Sequence, residues 1–541
     1  MRSEIHREDA ALKISALAER GGLNLGCHNS PVDLSAAAVK RAGIQQDAMF
    51  HGALERRRVD RTRKRPLRVM KFGGTSVGNA SCIGRAVEII RAATRDSNIV
   101  VVVSAMSGAT DRLIEAAVLS ESGDFQRVAV ILEELKNRHE TVASALIPST
   151  AERSHISCKM QEILREGGHL CQGTILLREL TQRARDTISS LGERLLAPLV
   201  AATLADRGVA SEAIDATELV VTDSFHGATE PLMEITRERC KARLRPLLDK
   251  GIVPVVTGYI GATSEGVLTT LGRGGSDYSA TILGAALDAN EVIIWTDVDG
   301  VLTADPRLVS EACTIPEISY REAAELAYFG AKVLHPKTLR PVMQSDIPVW
   351  IRSTFAPERS GTKITPSGSP NGGGVKALTA RGEVALITVG GPGIVGVRDV
   401  LGRTFMTTGA VRADVLLVSQ SSSQNDICFV VPSAVAKSTV EALRREFAQD
   451  LAHHNVEHII INQSAAVVAV VGEKMQGTPG IVGRIFGALG LENINIIAIA
   501  QGSSECNISF LVAKKDMKAA LEITHREFQL GTSICSGLAV S

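Results

Sequence analysis

The chain has 541 residues, with 59 Lys and Arg balanced by 59 Asp and Glu, and only 3% of its residues are aromatic. A length like this predicts about three or four domains, and the charge balance excludes a generally basic nucleic-acid binder and an acidic disordered chain. Many Ala, Val, Ile and Gly with few aromatics point to an α/β protein, whose buried parallel strands are aliphatic.

Residues 1–66 show no sustained strand–helix alternation and are read as a poorly ordered extension, or as the product of a start assigned too early. The first residues, MRSEIHRED, lack the apolar core of a secretory signal, and their acidic residues fit a transit peptide poorly. The segment ends in seven basic residues between Glu55 and Arg65, read as a solvated arm rather than an RNA contact. From Leu67 the texture changes. Short aliphatic runs at 68–72, 99–103, 252–257 and 292–296 predict strands, and 276–289 predicts a helix between two of them. Strand, helix, strand at this rhythm means a mostly parallel sheet covered by helices, persisting to about residue 360.

Residues 360–376 read SGTKITPSGSPNGGGVK, a linker by composition; the connection is placed at 361–383. Beyond it lies an internal repeat. Pro392-Gly-Ile-Val-Gly396 recurs as Pro479-Gly-Ile-Val-Gly483, and the Ser419–Phe429 segment recurs at Ala500–Phe510, in the same order. A duplicated α+β module follows, at 384–462 and 463–541, the two packing together because one alone buries little core. The C-terminal end is expected to pack back on the first module. No stretch offers about 20 consecutive apolar residues, so no membrane-spanning helix is expected. The nine cysteines are scattered, without a C-x-x-C pair. They read as reduced thiols of a cytoplasmic protein, supporting neither a zinc site nor a disulfide framework.

Chemistry concentrates at glycine turns after predicted strands. Lys71-Phe72-Gly73-Gly74-Thr75-Ser76 precedes a helical segment, so backbone N–H groups and a helix N-terminus can approach an anion while Lys71 supplies a point charge. Taken alone, it is equally an ordinary strand-to-helix turn. Leu271-Gly-Arg273-Gly274-Gly275-Ser276-Asp277 offers a guanidinium that can grip a carboxylate, with Asp277 as a helix N-cap in the plainer reading. Thr296 and Asp297 end an aliphatic strand, the end at which ligands bind in open α/β sheets. Asp305-Pro306-Arg307 and Lys332 follow, Lys332 as a second phosphate contact, while His335 is read as structural. Gly391-Pro-Gly-Ile-Val-Gly396 matches G-x-G-x-x-G with Asp414 roughly 20 residues on. The dinucleotide reading is set aside, because the second copy has Thr478 at the first glycine and no further βα units follow.

KFGGTSVGNA, SAMSGATD, LGERL, TLGRGGSDYSA, WTDVDGV, DPR and AKVLHPKTL occur in the order found in aspartate kinases of the amino-acid kinase family, which the chain resembles from about Leu67 onward. The repeats resemble paired ACT domains, and the whole looks most like the kinase half of bifunctional aspartokinase–homoserine dehydrogenases. The chain stops about where the dehydrogenase would begin, so that second activity is not expected. The resemblance implies a three-layer αβα fold followed by two α+β ACT-like modules. It implies transfer of the ATP γ-phosphoryl group to L-aspartate, with Mg²⁺, in the lysine, threonine and methionine pathway. It implies catalytic roles for Lys71, Asp277 and Arg273, with Phe72, Gly73 and Gly74 around the phosphates. Thr110, Glu193 and Arg273 to Ser276 would hold aspartate, Glu193 pairing with the α-ammonium. Thr296, Asp297, Leu302, Arg307, Lys332 and Val333 would line the ATP site, Leu302 replacing the usual Tyr. Gln420, Asn425, Ile427 and Gln501 would bind an effector, threonine or lysine, although two glycines weaken the helical pattern of 400–409. A homo-oligomer through the ACT modules is implied, with no nucleic-acid or membrane partner and no resident metal site.

This chemistry agrees with the residues themselves. A side-chain carboxylate is already ionised at neutral pH, so catalysis reduces to positioning two anions and neutralising charge. Two rival readings make the chain a catalytically weak amino-acid sensor of the same fold, or a kinase for another acyl or nucleotide acceptor. The complete Lys71, Glu193, Arg273, Asp277 and Lys332 set weighs against the sensor, and the paired repeats favour aspartate.

Overall fold

The aliphatic runs form the centre of a mostly parallel sheet. The computed structural model describes residues 65–331, 334–369, 374–391, 399–420, 425–502 and 506–533. Its strands are β1 (Leu67–Phe72), β2 (Asn98–Val103), β3 (Ser211–Ile214), β4 (Val253–Thr257), β5 (Ile260–Ala262), β6 (Leu268–Thr270), β7 (Glu291–Thr296), β8 (Glu317–Ser319), β9 (Val349–Ser353) and β10 (Thr362–Thr365). Eight of them build one sheet in the order β3-β4-β2-β1-β7-β9-β10-β8; β5 and β6 make a separate hairpin. All pairings in the large sheet are parallel except β9 with β10.

Side chains alternate between the two faces of a strand, and two cores result. Met70, Phe72, Val101, Val103, Ile293 and Trp295 belong to one, Val69, Val100, Val102, Val292 and Ile294 to the other. Lys71 falls by the same alternation on the second face, the face covered by the helix Gly275–Leu287. That parity aims a cation at the start of a helix. The helical run Gln182–Asp206 is long and apolar enough to cross a membrane by composition, yet it is almost wholly buried inside the protein. It is hydrophobic nearly all round because it sits between other elements, as core helices do.

Composition misplaced the linker. Within the Gly/Ser/Pro-rich stretch, Thr362–Thr365 is strand β10, and the Thr362 hydroxyl donates to the Ile315 carbonyl at 2.6 Å. Lys376, at the end of the stretch, is 7% exposed and paired with Glu322 at 2.9 Å. Backbone pairing and one buried ion pair override the weak propensity of the segment.

The C-terminal part has six strands, β11 (Ala377–Gly390), β12 (Leu417–Gln420), β13 (Asp426–Pro432), β14 (His458–Val471), β15 (Ile496–Gln501) and β16 (Asn507–Ala513), in the order β12-β13-β11-β14-β16-β15. β11 pairs with β14 along nearly its whole length, with register shifts near Arg381 and Val384. The duplication survives in packing. Arg403 donates to Glu446 at 2.7 Å and lies over the Phe447 ring, and Arg484 does the same to Glu527 at 2.8 Å and Phe528. Residues 400–410 are helical despite Gly402 and Gly409, with Thr404 and Thr408 buried.

The helix Met517–Glu527 and Leu530 pack on the second module and on kinase residues Ala304 and Val309; the C-terminal end expected on the first module, beyond residue 533, lies outside the described residues. One expectation fails here. Cys313 is disulfide-bonded rather than a reduced thiol. The other described cysteines are free.

Candidate active site

The carboxyl ends of β2, β1 and β7 lie side by side, and a cleft of about 870 Å³ opens above them. Its floor is the first glycine turn. The Gly73 N–H donates to the Trp295 carbonyl at 3.0 Å. A Cβ on Gly73 would come within 3.3 Å of Lys71 Nζ, and one on Gly74 within 3.1 Å of the Ala105 carbonyl. The turn needs glycine because the backbone itself runs beside the cation.

Lys71 is 7% exposed, and its Nζ stands 2.5 Å from Asp277 Oδ1. Asp277 lies in the first turn of the helix Gly275–Leu287, whose unpaired amides favour an anion. The helix is entered through Gly272 and Gly274, with φ of 77° and 71°. At Gly274 a Cβ would lie 2.8 Å from the Cβ of His335, so His335 packs behind the turn, and burial lowers its pKa. Arg273 stands exposed at the cleft mouth.

Glu193 is 3% exposed, and its Oε2 has no hydrogen-bond partner. Burial pushes this carboxyl up to about 8, against the backbone N–H groups of Ala105 and of Glu193 itself and the charge of Lys71. A buried carboxyl with one oxygen left unpaired toward a cleft is a site for a cation. Thr110, at the start of the helix Ala109–Ser122, lines the wall beside it.

Lys71, Gly73, Gly74, Thr110, Glu193, Arg273, Gly274, Gly275, Ser276, Asp277, Thr296 and Asp297 therefore come together in one cleft. Phe72 does not. Its side chain is fully buried and stacked on Trp295, with centroids 6.1 Å apart, because strand alternation turns it to the opposite face from Lys71. Leu302 and Arg307 lie outside the cleft lining. Leu302 forms an isolated bridge with Thr314, and Arg307, largely exposed, is held by Asp305 at 2.6 Å. Lys332 and Val333 lie outside the described residues.

In the C-terminal modules, Gln420 and Gln501 end β12 and β15 and pair with Ile427 and Ile508 respectively, so their positions are equivalent. Both glutamines are exposed. Asn425 accepts the Gly391 N–H through its carbonyl at 2.9 Å. Ile427 is 1% exposed in the module core, which corrects its side chain as an effector contact. Only its backbone remains for that role.

Sequence reasoning missed Asp186, Ser189, His226, Gly227 and Thr270, which line the same cleft. The available signal was spacing. Asp186 precedes Glu193 by seven positions on one helical run, which puts both on one face.

Residues 66–353 match the amino acid kinase family, and residues 387–447 and 468–528 each match an ACT domain. The chain belongs to the amino acid kinase family, in its aspartokinase branch with paired ACT domains. It is 35% identical to bifunctional aspartokinase/homoserine dehydrogenase 1 of Arabidopsis thaliana, covering 87% of this chain and 52% of the relative. Aspartokinase 1 of the same plant is 31% identical, covering 85% of this chain and 80% of that protein. The structure of Escherichia coli aspartokinase III with aspartate and ADP aligns with a TM-score of 0.71 and 30% identity, over 86% of this chain and all of that one. The chain spans about half the length of the bifunctional curated relatives it matches.

Proposed function

We propose that the chain phosphorylates the side-chain carboxylate of L-aspartate with Mg-ATP and is feedback-regulated through its ACT modules. The observation that carries the reading is the buried Glu193 carboxyl, whose Oε2 has no hydrogen-bond partner, in the same cleft as the Lys71–Asp277 pair. It offers a site for an α-ammonium on one side and a cation for a phosphoryl group on the other. The structural relative from Escherichia coli was solved with aspartate and ADP, in keeping with that division.

In this reading Arg273 holds a substrate carboxylate and Glu193 the ammonium, which fixes the amino acid in orientation. The free side-chain carboxylate is already ionised, so no general base is needed. One of its oxygens bonds to the γ-phosphorus while the bond to the β,γ-bridging oxygen breaks, and that oxygen leaves with the electron pair on ADP. Lys71 neutralises charge on the transferring group, held in place by Asp277, and the amides of Gly73 and Gly74 complete the cradle, while those of the 274–276 turn face the substrate carboxylate beside Arg273. Mg²⁺ would enter with the nucleotide and supply further charge neutralisation at the phosphates.

Another Escherichia coli aspartokinase III structure holds lysine and aspartate. Lysine or threonine is accordingly the effector proposed here, at the Gln420 and Gln501 positions, with a homo-oligomer joined through the ACT modules. ADP formation requiring both L-aspartate and Mg-ATP tests the function. Folded protein that forms none rules it out.

A further inference from the structure

Asp186 is 3% exposed and sits one helical turn before the end of the helix Gln182–Ser189, on the cleft wall. Three donors from two other segments converge on it. The Thr270 hydroxyl donates to Oδ1 at 2.7 Å, and His226 Nδ1–H and the Gly227 N–H donate to Oδ2 at 2.8 and 3.0 Å. Thr270 is itself tied to the same loop as His226, because its carbonyl accepts from the Thr229 N–H and hydroxyl at 3.1 and 2.9 Å.

The chain then passes from Thr270 to Arg273 through Gly272, whose φ is 77° and where a Cβ would lie 2.9 Å from the Gly227 carbonyl. The Arg273 turn is thus seated directly on the 226–229 loop. Asp186 bonds both to Thr270, the strand end that leads into that turn, and to the loop. A buried carboxylate satisfied by three donors is costly to disturb, since each donor it releases is left desolvated.

We propose that Asp186 is a positioning residue for the amino-acid substrate, fixing the Arg273 turn against the His226–Gly227 loop so that the guanidinium meets the substrate carboxylate preorganised. Asp186 touches neither nucleotide turn, so it sets the aspartate KM and leaves kcat and the ATP KM nearly alone. The proposal rests on the reading of the cleft as an aspartate site.

The test is steady-state kinetics of Asp186→Asn and Thr270→Val in the full chain, beside the unsubstituted protein. Asn keeps one acceptor oxygen and turns the other into a donor facing donors. Thr270→Val removes only the Oδ1 contact. Asp186→Asn is expected to raise the aspartate KM by about ten- to a hundredfold, the size expected for hydrogen bonds to a charged acceptor, and Thr270→Val by about three- to tenfold. The kcat and ATP KM of both stay within about threefold, a split that general loosening of the fold does not give.

An aspartate KM unchanged in both variants, or a fall in kcat and a rise in both KM values together, overturns the proposal. If Asp186→Asn does not fold, the milder Thr270→Val decides by the same split. Absence of aspartate-dependent ADP from the unsubstituted protein removes the reading of the cleft itself. Normal turnover there with flat KM values in the variants removes only the role of Asp186.

Discussion

Thr303 Oγ1 and His525 Nε2 share a 3.0 Å hydrogen bond in a setting where Thr303 is fully buried and His525 is 1% exposed. Thr303 lies between the end of β7 and Arg307, and His525 is on the helix Met517–Glu527 of the second ACT module. The Leu378 N–H also donates to the Thr303 carbonyl at 2.8 Å. Thr303 therefore touches the ACT part through both its backbone and its hydroxyl. Burial lowers the His525 pKa below its ordinary 6.5. The folded protein thus holds fewer protons here than the unfolded chain, and this contribution to stability is present above about 6.5 and lost as pH falls. Thermal unfolding between pH 7 and 5.5 should show a shallower acid loss in His525→Gln than in the parent protein.

Lys71 stands between Asp277 and the Gly73–Gly74 turn. Lys71→Ala should lower kcat by about 10²–10³-fold, the usual cost of removing one preorganised charge stabiliser, while the aspartate KM moves little. Asp277→Asn, which keeps the shape but releases the ammonium, should lose less. Rapid-quench measurement of phosphoryl transfer separates both from slow product release.

Glu193 gives a pH signature. Its carboxyl titrates at about 8 in the free protein, and only the ionised form can pair with an ammonium. Aspartate affinity should rise as pH climbs toward about 8 and then level off, with a proton released on binding below that pH. Calorimetry in buffers of different ionisation enthalpy counts the proton, and Glu193→Gln should abolish the release. The same shift makes the free protein less stable as pH rises from 4.5 through about 8, and bound aspartate should offset that loss.

The glutamines that end β12 and β15 occupy equivalent positions, but their neighbours differ. Gln420→Ala and Gln501→Ala should therefore change feedback unequally, raising the half-inhibiting concentration of threonine or lysine by about three- to tenfold at the position that is used. Inhibition curves for each amino acid in each variant assign the effector. Identical curves in all three proteins exclude both positions.

Much of the cleft was legible because its parts are local. A strand followed by glycines and then a helix start is written in six or seven consecutive residues, as in 71–76 and 271–277. Strand parity also explains the one clear error there: Lys71 and Phe72 are neighbours in sequence and opposites in space. Spacing could place Asp186 on the face of Glu193 but not reveal what it does, because that lies in Thr270 and His226, which only the fold brings to it. Strand β10 was hidden by its composition, since Thr362–Thr365 pairs on both sides within a segment of Gly, Ser and Pro. The burial of the Ile427 side chain was hidden because the repeat shows which positions correspond, but not which way each side chain faces.

The long strands β11 and β14 carry a consequence for dissection. Each runs through both repeats, with β11 giving Ala377–Arg381 to the second and Val384–Gly390 to the first. No single cut in the chain excises one repeat with its sheet intact, since severing near Ser464 would leave each fragment a split strand and an uncovered edge. The duplication is tandem in the gene but interlocked in the protein. Loss of one copy should therefore unravel its twin, and the pair would be inherited, exchanged or engineered as a single unit.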